Sequence, residues 1–154
     1  MRPWLHHLGP KAHIHWNLDC SVGKGGQNSL ACDVAYIQWY YSLAGKHPET
    51  PPERKAIYAK VPVNGICTGL ESDPLVQSIL LHQKTLKHPT TDGKISVATG
   101  DGRTSGTPFF ILRLNSRLSH MYPNLWPRLD LMPHCPALVA DAVRECVPNV
   151  INPL

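Results

Sequence analysis

The chain has 154 residues, enough for one domain or one domain with extensions, and it can bury a core without metal or disulfides. Its net charge of +4 is mild and suits weak attraction to anionic polymers, nucleic acid included, but its basic residues form no runs, charge alone decides nothing and no nucleic-acid partner is assigned; no apolar segment is long enough to span a membrane. Fifteen prolines, about twice the usual share, predict short helices joined by much loop.

The first stretch, MRPWLHHLGPKAHIHW, has neither an uninterrupted apolar core nor a small-residue cleavage site, so it is not a Sec signal. Residues 1–20 read as an extended arm with at most a short strand near His13 to Leu18. SVGKGGQNSLACDVAYIQWYYSLAG, residues 21–45, then runs from a glycine-rich loop into a helix. Asp33 is the expected N-cap, Val34, Ile37, Tyr41 and Ala44 form the apolar face, and Gly45 supplies the stop. Trp39, Tyr40 and Tyr41 are consecutive, and at 100° per residue they cannot all face one core. At least one is expected to be exposed or covered by an extension.

Residues 46–63 hold four prolines and several charges and read as a surface excursion with a helical turn from Pro52 to Ala59. A second helix is expected over 73–87, with Asp73 as N-cap, Pro74 at the first helical position and Leu75, Ile79, Leu80 and Leu86 buried. Asp92-Gly93 and Asp101-Gly102 are turn dipeptides around a short strand at 94–98. A third helix follows Pro108, with Phe109, Leu112 and Ser116 or Phe110, Leu114 and Leu118 on its apolar side. A last helix is expected over 136–147 on Val139, Val143 and Val147.

Several sites of chemistry can be drawn. The glycine loop lacks the GxxxxGK[ST] order and a preceding Val/Ile strand, so it reads as a turn and not a phosphate cradle. His13 and His15 alternate on one side of a strand, and Asp19 or Cys20 could complete a zinc site, with His6 and His7 adjacent; nine histidines make such a pair expected by chance, and no metal is assigned. The five cysteines are odd in number and none sits in CxxC. Cys67 with His82, or Cys32 with His13, could form a nucleophilic pair, but no cation adjoins either thiol in sequence, and structural thiols are the expectation.

Three pieces together resemble one family. The 21–45 stretch resembles SVG-x-GG-x-N-x-x-x-DV-x-x-VQ-x-LLN of the peptidoglycan-binding-like modules found in bacterial cell-wall enzymes and in proteins associated with type VI secretion. VNGICTG, residues 63–69, resembles their VDGICG turn. ILLHQKTLKHPTTDGKISVATGDGRT, residues 79–104, resembles AI-x-x-FQ…PDGRIDPGGRT. Asn64 stands where the family has aspartate, His82 where it has phenylalanine, and Tyr40-Tyr41-Ser42 replace Leu-Leu-Asn. The resemblance implies a mainly α fold: a small three-helix bundle over 21–118, with an N-terminal arm over 1–20 and a C-terminal helical extension over 119–154.

The function implied is non-enzymatic binding to peptidoglycan or its stem peptides, with no cofactor, as accessory to a secreted antibacterial effector or a secretion-apparatus protein. The ligand surface expected is Gln38, Trp39, Asn64, His82, Gln83, Asp92 and Arg103. Amides would bond stem-peptide or N-acetyl groups, Trp39 would stack, and Arg103 would pair with a carboxylate. Two rivals are an adaptor that kept the fold and lost the glycan, and a small cell-wall hydrolase using cysteine or metal. The chain would be cytoplasmic as made and exported by a route without a signal peptide.

Overall fold

A computed structural model describes residues 1–8 and 11–151 and is predominantly helical, with three small two-stranded sheets among the described residues. A β-hairpin, β1 (Arg2–Leu8) and β2 (Lys11–Asn17), opens the chain. β3 (Val22–Gly23) leads into α1 (Ala31–Lys46), followed by α2 (Pro52–Tyr58) and α3 (Pro74–Thr85). β4 (Lys94–Ile95) pairs back onto β3; β5 (Arg103–Thr104) and β6 (Thr107–Pro108) form a minimal ribbon. α4 (Phe110–Met121), a 3-10 turn at Leu129–Leu131 and α5 (Ala137–Ile151) complete it.

The segments Arg2–Leu8 and Lys11–Asn17 are therefore paired strands and not an extended arm. Its antiparallel register sets Trp4 opposite His15 and Pro3 opposite Trp16. Trp16 is fully buried against the core, and its indole N–H donates to the Pro127 carbonyl at 2.8 Å. Asn115 of α4 clamps the same residue, accepting from the Trp16 N–H at 2.6 Å and donating to its C=O at 2.9 Å. This is why β2 packs on α4.

α1 is the central element. It is buried from Asp33 through Tyr41, against α2 on one side and α5 on another, as a helix apolar around most of its circumference must be. Its N-cap is Leu30, three residues earlier than expected. Asp33 is not the N-cap but lies in the first turn, where its carboxylate accepts from the Asp19 and Cys20 N–H groups (2.9 and 2.8 Å) and pairs with the Met1 ammonium at 2.6 Å. Gly45 is not the stop either. It is helical, and its missing side chain lets α2 approach, since a Cβ there would stand 3.1 Å from that of Tyr58.

α3 begins as the sequence predicts: Asp73 accepts from the Leu75 N–H at 2.8 Å and Pro74 follows at the first helical position. Leu75, Val76 and Ile79 are buried, but Leu86, expected in that stripe, is exposed. In α4 Phe110, Leu114 and Leu118 are buried with Ile111, Leu112 and Asn115 beside them, so Leu112 of the alternative stripe is buried as well, while Ser116 is exposed. Val139 and Val143 of α5 are buried, while the side chain of Val147 lies outside the described residues.

The strand expected over 94–98 is shorter and pairs elsewhere than within its own turns. Gly23 meets Lys94 at a backbone φ of +112°, and a Cβ on Gly23 would stand 2.2 Å from the Gly93 carbonyl oxygen. Gly23→Ala is expected to cost about 3 kcal/mol, near the upper end of single-residue effects, because backbone conformation and contact fail together. Urea denaturation measures it; a loss below about 1 kcal/mol would show that β3 and β4 can separate at little cost.

Candidate functional site

Gln38 on α1 and Gln83 on α3 are both buried, and each grips an Asx-Gly turn in the same way. The Gln38 Oε1 accepts from the Asn64 and Gly65 N–H groups (3.0 and 2.8 Å), while its Nε2 donates to the Asn64 Oδ1 and the Ile66 carbonyl (3.2 and 2.8 Å). The Gln83 Oε1 accepts from the Gly93 N–H at 2.9 Å, and its Nε2 donates to the Asp92 Oδ1 and the Lys94 carbonyl (3.1 and 3.0 Å). Asn64 and Asp92 each also accept from the N–H two residues on, at 3.0 Å. Gly65 and Gly93 hold φ of +77° and +73°, which suits glycine. Four expected ligand residues, Gln38, Asn64, Gln83 and Asp92, thus spend their polar groups on two equivalent internal clamps.

Trp39 is 1 % exposed, and its indole N–H donates to the Pro133 carbonyl at 3.0 Å, so the C-terminal segment covers the ring expected to stack on ligand. The glycine loop is closed as a phosphate cradle. The N–H groups of Gly23, Lys24, Gly26, Gln27 and Asn28 donate to Asn28, Gly93, Gly23, Ser21 and Ser21 respectively. The Lys24 ammonium pairs with Glu71.

His13 and His15 have ring centroids 6.4 Å apart, but their cleft also contains Arg103 and Arg113. Cys20 lies elsewhere, receiving a hydrogen bond from the Ser29 hydroxyl at 3.2 Å. Among the described residues no group of three His, Cys, Asp or Glu could hold a metal ion. The side chains of His6 and His7 lie outside the described residues. All five cysteines are free thiols; burial raises Cys67 and Cys146, and pushes Cys135 up to about 12, all away from the thiolate.

The open surface gathers around α4. A cleft of 590 Å³ lies between the end of α1, α2, α3 and α4. Tyr40, Tyr58 and His82 form its aromatic wall, with Tyr40 and His82 stacked at 7° and 6.0 Å between centroids. Arg54, Arg113, Arg117 and His120 line it, and Glu49 binds Arg117 at 2.9 Å. A second cleft of 470 Å³ holds His13, His15 and Arg103 and shares Arg113 and Ser116 with the first. A third, of 340 Å³, shares Pro108 with the second and is rich in hydroxyls: Thr90, Ser96, Thr104, Ser105 and Thr107 beside Phe109. Gln83 and Asp92 sit in its wall.

Of the seven expected residues, His82, Gln83, Asp92 and Arg103 therefore border this α4 face, and Gln38, Trp39 and Asn64 do not border any of the three clefts. The arginines of the first cleft escaped sequence reasoning. A signal was present: Arg113, Arg117 and His120 recur at i, i+4 and i+7 along the polar side of α4. Nothing local marks Arg54 as their neighbour across the cleft.

His82, with Tyr41 hydroxyl 3.2 Å from its Nδ1, has its pKa pushed down to about 4 by burial and then by Arg54, Arg113 and Arg117. The unfolded chain takes up this proton below 6.5, whereas the folded chain resists until about 4. The unfolded state binds more protons in that window, so stability falls as pH drops through it, by up to about 3 kcal/mol, and levels off below it. His82→Phe is expected to flatten this decline when melting temperatures are compared at about pH 7 and about pH 4.5; an unchanged slope would place the effect on other groups.

The clamps carry their own test. Gln38→Ala and Gln83→Ala each strand buried backbone groups and are expected to cost about 3 kcal/mol in denaturant unfolding. Stability equal to wild type would assign those amides to ligand contact instead.

No family model matches the chain, and neither a curated protein nor a solved structure matches it.

Proposed function

We propose that this protein is a non-enzymatic cell-wall-binding module that engages peptidoglycan across the α4 face. The observation that carries the reading is the contiguity of the three clefts, which join a hydroxyl-rich basin to two arginine-bearing ones. Such a surface suits a polymer that alternates hydroxyl-bearing sugars with carboxylate-bearing peptides. The two glutamine clamps support the finer architectural reading, in which α1, α3 and α4 are the helices of a peptidoglycan-binding-like bundle and the Asx-Gly turns its corners. Binding is favoured over hydrolysis because the cleft histidine is a weak base and the resolved thiol shifts all run away from the thiolate. Service to a secreted antibacterial effector, as in type VI secretion, is the context this reading suggests.

A second reading, the adaptor, has one specific feature in its favour. Val63, Ile66 and Leu70 are exposed around the Gln38-clamped turn, and Leu138 is exposed close to Gly65 of that turn. An apolar surface of this kind suits a protein partner.

Sedimentation with purified sacculi tests the first reading. Wild type is expected to sediment saturably, with Arg103→Glu and Arg117→Glu weakened about tenfold each. Wild type left in the supernatant sinks it and turns attention to a partner on the Val63–Leu70 surface.

A further inference from the structure

The geometry points to the Arg54–Arg113–Arg117 cleft as a recognition site for a short peptide bearing two carboxylates, its body laid against Leu86 beside Tyr40 and Tyr58. This rests on the wall-binding reading and deepens it, by naming the stem peptide and not the sugar strand as the ligand of this cleft.

Charge comes first. Three guanidinium groups line the cleft, and all three act electrostatically on one buried imidazole, His82, so they converge on a common region. Glu49 compensates only Arg117. Among the described residues no carboxylate forms an ion pair with Arg54 or Arg113. Two positive charges are left for an incoming ligand to match. His82 is itself too weak a base to add a third near neutral pH.

Shape and chemistry narrow the ligand. A guanidinium presents a planar fork of donors that fits a carboxylate in two parallel hydrogen bonds, and such pairs strengthen where water is thinned. The cleft volume of 590 Å³ falls in the range of small-molecule sites and far exceeds what a bare inorganic anion fills. Leu86, exposed where it lines the cleft with the buried Tyr40 and Tyr58, offers apolar contact to whatever carries the charges. The two arginines without a carboxylate partner come from different helices, α2 and α4, and each fork can take a carboxylate of its own.

Isothermal titration calorimetry on the full chain tests this with L-alanyl-γ-D-glutamyl-L-lysine, which carries two free carboxylates, as probe, its fully amidated form as control, and inorganic phosphate as competitor. The free-acid peptide is expected to bind saturably and its amide about tenfold more weakly or worse, with Arg54→Gln and Arg113→Gln each losing about tenfold. Arg113 is exposed and Arg54 half-buried, and unchanged melting temperatures confirm the fold of both variants. Equal binding of acid and amide overturns the inference, as does undiminished binding by both variants or full competition by phosphate. Peptide that fails to bind while sacculi still sediment also overturns it and leaves the wall reading standing. Peptide that binds while sacculi do not sediment keeps this site and removes the polymer.

Discussion

A side-chain amide that pairs with a backbone peptide group recurs through this molecule. Asn17 accepts from and donates to Ala98, Asn28 does the same to Gly23, Asn115 to Trp16, and Gln38 and Gln83 each grip a turn. A carboxamide carries one acceptor and two donors in fixed geometry, so it can stand in for a neighbouring strand. That substitution is needed here. With proline-rich connections and sheets of two strands only, many loop N–H and C=O groups near the core would otherwise be buried without partners, at about 1–3 kcal/mol each.

The clamps also explain how the α4 face comes to exist. Asn115 fixes the hairpin against α4, which places His13 and His15 along one flank of the helix. Gln83 fixes the Asp92–Lys94 turn, which forms the wall of the hydroxyl-rich cleft. α1 stays buried between α2 and α5, so its aromatic run closes the core while Tyr40 shows one side to the arginine cleft. Asn115 and Gln38 thus build the surface without lining it, while Gln83 does both, since it grips the turn and also sits in the wall of the hydroxyl-rich cleft.

His82 illustrates the tension between the two roles. It occupies a position where an apolar aromatic residue would satisfy packing, wedged against Tyr40, Tyr41, Tyr58 and Phe110. Burial and three nearby guanidinium groups keep it neutral. The cationic cleft therefore carries its charge on arginines, which stay protonated throughout the physiological range.

The sequence by itself determined part of the helical punctuation: Asp73-Pro74 at the start of α3 and Pro52 at the start of α2 were legible because capping is local, and periodicity narrowed the apolar side of α4 to two stripes, of which Phe110, Leu114 and Leu118 is one. It also placed Gln38, Asn64, Gln83 and Asp92 among seven expected ligand residues, without their structural purpose. A glutamine in a helix and an Asx-Gly turn 26 or 9 residues on look the same whether they face each other or a ligand. Only the tertiary structure decided that they face each other, that Pro133 covers Trp39, and that Arg54 meets Arg113 and Arg117 across one cleft. Each of these depends on how helices dock, a matter of packing over long sequence separations that no local pattern records.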